Sequence, residues 1–260
     1  MSIRIYIVGR PQLDVQGFSV FLHHHQTNWQ RTLGATNSEE MVEAAGRVCY
    51  MSFGPKQSPR STSEYIKNLI VMGHESVLEH VNWSFVLAGV SRSLTHQLVR
   101  HRVGFSYSQL SQQYHDECEA NFVIPSDVEA NPRAYAAWRR ATNVTKKAYK
   151  EILQALQKEE RHNSSLKRNQ KENLRALRSA ARSVLPNCTE TIVFMTANAR
   201  ALRHFLSVRG NIVGDIEMRH LAVELLRCLK KEAPALFFDY EIHPLPNGTQ
   251  LVKKVNISCK

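Results

Sequence analysis

Residues 100–114 read RHRVGFSYSQLSQQY. Arg100, His101 and Arg102 place three side chains together that are cationic or can become so, and hydroxyls and amides with almost no charge follow them. Like charges at neighbouring positions repel, so the cluster is expected to await an anion. Just upstream, Leu94, Leu98 and Val99 lie at helical spacing behind Ser91, a hydroxyl suited to cap a short helix. The tripeptide then falls at a helix C-terminus, where the macrodipole favours cations. The dipole accounts for one or two of the charges, but not for the donor-rich run Ser108–Gln113 beyond them.

Working outward, Ile3, Ile5 and Ile7 alternate with polar or smaller residues and predict an opening strand. Asn37 with Glu40 predicts a capping box for a helix through Cys49, and Ser61 with Glu64 predicts another that stops near Gly73. Val81, Trp83, Phe85 and Leu87 have the alternation of a half-buried strand. Residues 132–160 form a long amphipathic pattern, with Tyr135, Trp138, Val144, Ala148 and Ile152 on or near one stripe. The polar run KEERHNSSLKRNQKEN, residues 158–173, reads as a solvated loop and helix start. No aromatics interleave its charges, as a surface for single-stranded nucleic acid would need.

A helix through Arg182 is expected to end at Pro186, and residues 191–197 predict an apolar strand. Asn198 opens a helix carrying Leu202, Phe205 and Leu206, and Asp215 caps a last long helix through Glu232. From Phe237 the pattern fades into a tail with a Pro-Asn-Gly turn. With no internal repeat and no strong linker, the expectation is one α+β domain over residues 1–240. It would hold an antiparallel or mixed sheet and predominating long helices, followed by a C-terminal tail, 241–260.

The 260 residues, 43% of them hydrophobic, suffice for a sizeable core. A net charge of +11 favours anionic partners: nucleic acid, acidic lipid or phosphorylated small molecules. Residues 1–10 lack the apolar core of a signal peptide, and no apolar run approaches the ~18 residues of a membrane span, so a cytoplasmic chain without a membrane partner is expected. Five scattered cysteines (Cys49, Cys118, Cys188, Cys228 and Cys259) suit reduced thiols rather than a disulfide framework or a zinc site. His23, His24 and His25 splay apart in either a strand or a helix, so they predict a polar edge and no metal. There is no GxGxxG and no P-loop.

Eight residues separate Arg102 from Ser111, and an ordered series of segments surrounds this pair. GHESVLEH spans 73–80, QLVRHR 97–102 and SQLSQQY 108–114; ARSVLP spans 181–186, NARALRHFLSVR 198–209 and DIEMRHLA 215–222. Over roughly residues 38–240 the chain resembles the flavin-dependent thymidylate synthase family. The resemblance implies a homotetramer that makes dTMP from dUMP. It would take carbon from 5,10-methylenetetrahydrofolate and reducing equivalents from NADPH through FAD. His74, Ser76, Arg100, His101, Arg102, Gln109, Asn198, Arg200 and His204 match positions that hold FAD. Gln97, Arg100, Gln109, Ser111, Gln112, Gln113, Arg182 and Arg209 match positions that contact dUMP. Arg209 also matches the catalytic arginine, which favours loss of the uracil N3 proton.

Three positions depart from the family pattern. Gln113 stands where many members have Arg, Val213 where His is usual, and His204 where Asn is frequent. Ser111 has no partner base at a diagnostic spacing and is expected to bind substrate rather than act as a nucleophile. Arg92 is expected to be a solvated or interface charge, and His80 and His96 to be structural. Two other readings fit the same residues. One is a divergent flavin-dependent methylase of another deoxypyrimidine nucleotide, with Gln113 and Val213 altering recognition. The other is a basic nucleic-acid-binding module whose Arg-His-Arg grips phosphates, although nucleic acid is not expected as the partner.

Overall fold

A computed structural model describes residues 3–162 and 170–255. Part of the polar run, residues 163–169, lies outside the described residues, as do the last residues of the C-terminal segment, 256–260. The elements in order are β1 (Arg4–Gly9), α1 (Val15–His24), α2 (Asn37–Tyr50), α3 (Thr62–Val71), β2 (Asn82–Ser91), α4 (Arg92–Leu98) and β3 (Phe105–Gln109). There follow α5 (Ser126–Glu129), α6 (Pro132–His162), α7 (Gln170–Ala181), β4 (Glu190–Asn198), α8 (Ala199–Arg209), α9 (Ile216–Glu232), β5 (Tyr240–Pro244) and β6 (Gln250–Lys254). A four-stranded sheet has the order β1-β2-β4-β3, and β5 and β6 form a second, two-stranded sheet. Helix, at about 53%, predominates over strand, at 17%, and the sheets are antiparallel, which is an α+β fold.

The described residues fall into two compact units. The first takes those within 1–4, 87–100 and 108–193, and the second those within 5–86, 101–107 and 194–260. The chain passes between them inside β1, β2, β3 and β4 and again between Arg100 and His101. In the first unit, α6 brings Tyr149 and Leu153 onto Ala181, with Ile152, Leu177, Val184 and Leu185 packed around them. The Tyr149 hydroxyl accepts from the Glu117 amide at 3.4 Å, which ties α6 to the loop after β3.

The second unit is built around α8 and α9. Leu202, Phe205 and Leu206 of α8 and Met218, Leu221, Leu225 and Leu229 of α9 are buried at helical spacing. Asn198 and Asp215 cap these helices as expected, accepting from Ala201 N at 2.8 Å and Met218 N at 3.0 Å. Ser61 and Glu64 likewise form the capping box of α3, which stops before Gly73 at φ +75°. The box of α2 sits one residue earlier than expected. Thr36 accepts from Glu39 N, and Glu39 accepts from Thr36 N at 3.1 Å. Glu40 instead takes both ends of the Arg31 guanidinium, at 2.8 and 2.7 Å.

Residues 240–254 are not a tail. β5 and β6 pair in register, Ile242 opposite Val252, and β6 packs on α9. Arg219 of α9 fastens them by donating to Gln250 O, Ile212 O and Thr249 Oγ1. The Val252 amide donates to Gly210 O at 2.8 Å, and a Cβ on Gly210 would fall 2.5 Å from Val252 Cβ. β6 therefore pins the C-terminal end of α8, where Arg209 stands. His23 and His24 end α1 and His25 caps it, a helical placement that the sequence left open.

Candidate active site

In the second unit, the loop after the tripeptide rests against the start of α8. Gly104 has φ +72°, its carbonyl accepts from Asn198 N at 3.1 Å, and a Cβ there would lie 2.6 Å from Asn198 Nδ2. Only glycine brings the backbone this close. At the other end of α8, Arg209 Nε donates to His101 Nε2 at 3.0 Å. The His101 ring meets Phe205 edge-on at 5.2 Å and lies 6.4 Å from the ring of His204. Burial pushes the His101 pKa down, and the nearby Arg209 guanidinium and His204 ring push it further. The imidazole is thus neutral, with Nε2 as acceptor and its proton on Nδ1. It anchors the Arg209 guanidinium through this bond.

A cleft of about 610 Å³ opens beside these residues, with Val103, Gly104, Asn198, Arg200 and His204 in its lining. Arg200 pairs with Glu79 at 2.6 Å, both side chains half exposed. This pair ties α8 to the 3-10 turn Glu75–His80. His74 heads that turn and Ser76 lies on it, both exposed. Arg102 is exposed and near enough to Tyr107 to favour its anion, although burial dominates and raises that phenol's pKa. Under the cleft, buried Arg203 makes two bonds to Asp239, at 2.6 and 2.7 Å, and a third to Leu236 O. Its Nε, also buried, has no hydrogen-bond partner among the described residues.

The first unit holds the amides. Gln109, at the end of β3, donates to Thr95 Oγ1 at 2.9 Å. Gln97 stands half-buried on α4, and Arg100 is exposed just beyond it. Ser111 begins a tight turn, its carbonyl accepting from Tyr114 N and His115 N and its hydroxyl from Gln113 N at 3.3 Å. Gln112 is buried beside Glu117, whose carboxyl burial pushes up. Gln113 accepts from Arg175 Nε at 3.1 Å and donates to Ser179 Oγ at 3.2 Å. Arg178 donates to Tyr114 O at 2.6 Å, and Arg182 follows in the 3-10 turn after α7. Arg92 is not a solvated charge. It donates to Leu110 O at 2.7 Å, and its Nε is buried without a hydrogen-bond partner among the described residues.

Sequence reasoning missed Gly104, Arg203, Arg92, Arg175 and Arg178. The last two left a trace: with Arg182 they recur at i, i+3 and i+7, one face of a helix. For Ser111, no imidazole or carboxylate hydrogen-bonds its hydroxyl among the described residues, so nothing there activates it as a nucleophile.

Fold and side chains together define an α+β protein with an arginine anchored by an imidazole in one unit and an amide-rich turn bonded by guanidiniums in the other. Residues 31–235 match the family Thy1, described as thymidylate synthase complementing protein. The chain is 44% identical over 221 residues to the flavin-dependent thymidylate synthase of Mycolicibacterium gilvum, covering 84% of this chain and 85% of that one. It is 43% identical to the enzyme of that name from Mycobacteroides abscessus over the same shares. With that of Corynebacterium aurimucosum it shares 39% identity over 92% and 96% of the two chains. The chain belongs to the flavin-dependent thymidylate synthase family.

Proposed function

We propose that this protein converts dUMP to dTMP, taking a methylene from 5,10-methylenetetrahydrofolate and electrons from NADPH through FAD. Arg209 held by neutral His101 is the observation that carries the mechanism. The second unit suits a dianionic, aromatic-headed cofactor. Gly104 lets the backbone approach the head of α8, the cleft beside it is large, and its donors are guanidinium, amide and imidazole. His74, Ser76, His101, Arg102, Asn198, Arg200 and His204 of this unit would hold FAD, and Arg100 and Gln109 match positions that hold it in the family. The flavin, when bound, supplies the two-electron reduction that methylene transfer alone lacks.

Gln97, Arg100, Gln109, Ser111, Gln113 and Arg182 bind dUMP, and Gln112 supports their turn from beneath. Arg209 stands where the uracil becomes anionic as its N3 proton leaves. A fixed cation lowers the cost of that charge and makes C5 the nucleophile. The bond from Arg209 Nε goes to a neutral imidazole rather than to a carboxylate.

The assembly is a homotetramer whose active sites draw on several copies, in the closed symmetry usual for such oligomers. The setting is the cytoplasm, and among the described residues no helix is long and apolar enough to cross a membrane. The purified protein should be yellow, with the absorption of an oxidised flavin. It should form dTMP only when dUMP, NADPH and the folate are all present. A colourless protein that cannot be loaded with FAD contradicts the proposal.

A further inference from the structure

The turn Ser111–Tyr114 carries two hydroxyls and two amides but no charge of its own, whereas a nucleotide phosphate is a dianion. Three arginines of the same unit bond to the turn or to Leu110 just before it, and they are not equivalent. Arg92 is bound to Leu110 O, and Arg178 to Tyr114 O with Asp116 at 3.6 Å. Arg182 lies close enough to Arg92 to lower its pKa, although burial is the main cause of that shift.

Arg175 is held differently. Gln113 Oε1 accepts from its Nε, Gln113 Nε2 is fastened to Ser179, and the guanidinium lies over the Tyr114 ring at 5.2 Å. The amide fixes the plane without discharging it, and the aromatic face supports a cation. Its other contact is Glu172 at 3.5 Å, an exposed i,i+3 pair of the kind that contributes little.

We infer that Arg175 is the phosphate-binding cation of the Ser111–Tyr114 turn, and that Gln113 is a positioning residue that orients it. The ligand group is a phosphate monoester dianion, gripped by the forked edge of the guanidinium. This inference rests on the dUMP reading above and adds to it the source of the charge. It also gives Gln113 a task that an arginine at that position could not perform, since a guanidinium has no acceptor for Arg175 Nε.

The test uses the FAD-loaded protein and compares dUMP with deoxyuridine, which lacks the phosphate. Arg175→Ala should weaken dUMP binding about tenfold or more, as for a lost charged donor, with the loss in KM rather than kcat. Deoxyuridine binding should not change, and Arg175→Lys should recover part of the affinity. Adding Gln113→Arg to Arg175→Ala should restore most of the affinity by placing a cation on the turn itself. Equal losses for dUMP and deoxyuridine would make Arg175 structural and overturn the inference. So would unchanged dUMP affinity in Arg175→Ala, or a double variant no better than the single one. If wild-type protein binds FAD but no dUMP, the functional reading falls and takes this inference with it. If wild type binds dUMP and only the Arg175 effects are missing, the inference alone fails.

Discussion

The two units solve the problem of holding charge in different ways. Around α8 a cation is held by steric fit and burial: Gly104 against Asn198, Phe205 against His101, Arg203 against Asp239. Around the Ser111–Tyr114 turn, cations are held by half-exposed hydrogen bonds from α7 to amides and carbonyls. A rigid, partly buried cation is suited to charge that exists only in the transition state. A hydrogen-bonded, solvated set is suited to a phosphate whose charge is the same before and after reaction. In the function proposed above, chemistry falls to the second unit and ground-state binding to the first.

The largest expected contrast is in stability. Asp239→Ala leaves the buried Arg203 guanidinium with Leu236 O as its remaining acceptor, a loss on the order of 3–5 kcal/mol. In the first unit, Asp116→Ala removes the half-exposed partner of Arg178 and should cost about 1 kcal/mol or less. Denaturant midpoints of the two variants measure this directly, and equal losses would erase the distinction between the units.

A smaller effect is expected at the loop. Gly104→Ala must adopt φ +72° and push a Cβ toward Asn198 and Ala201, costing about 1–3 kcal/mol of local strain. Flavin affinity should fall in this variant while dUMP affinity, measured in FAD-saturated protein, stays close to wild type. Loss of dUMP affinity alone would assign the loop to the wrong ligand.

The most subtle effect is in pH. The folded-state pKa of His101 is lowered, so its neutral form is favoured by folding, and that stabilisation is lost as pH falls through the folded value. Protonation puts a hydrogen on Nε2 facing Arg209 Nε, which removes the acceptor and sets two cations together. Turnover should therefore show an acid limb centred below the ordinary imidazole value of about 6.5. His101→Gln can still present an acceptor but cannot titrate, so the limb should disappear. A limb that survives this change belongs to another group.

Much of this was legible in the sequence because the signals were local. Ser91, Asn198 and Asp215 cap helices through bonds three residues long, and each was found from its side chain and the apolar run behind it. Thr36 was missed by one position because Asn37 and Glu40 form an equally good pair on paper; the bond from Arg31 to Glu40 decides between them. The β5-β6 hairpin escaped notice because each strand has only five residues, and β6 packs on α9, which no local pattern marks. The supports of the candidate site were invisible for a different reason. Arg203 and Asp239 are 36 positions apart, and Gln113 and Arg175 are 62. No periodicity spans such distances, so the sequence marked donors facing an anion but not what holds them.

The central claim, that the second unit supplies transition-state charge and the first supplies binding, is tested most directly by steady-state kinetics at saturating dUMP. Arg209→Ala and Ser111→Ala would be compared, both confirmed to retain FAD by absorbance. Arg209→Ala should lose about a hundred-fold or more in turnover, the scale of a lost transition-state donor. Ser111→Ala should keep measurable turnover and show its defect in KM, because in the proposed function its hydroxyl serves the phosphate, a group unchanged by the reaction. If Ser111→Ala abolishes methylation while Arg209→Ala turns over near the wild-type rate, the two roles are reversed and the account is wrong.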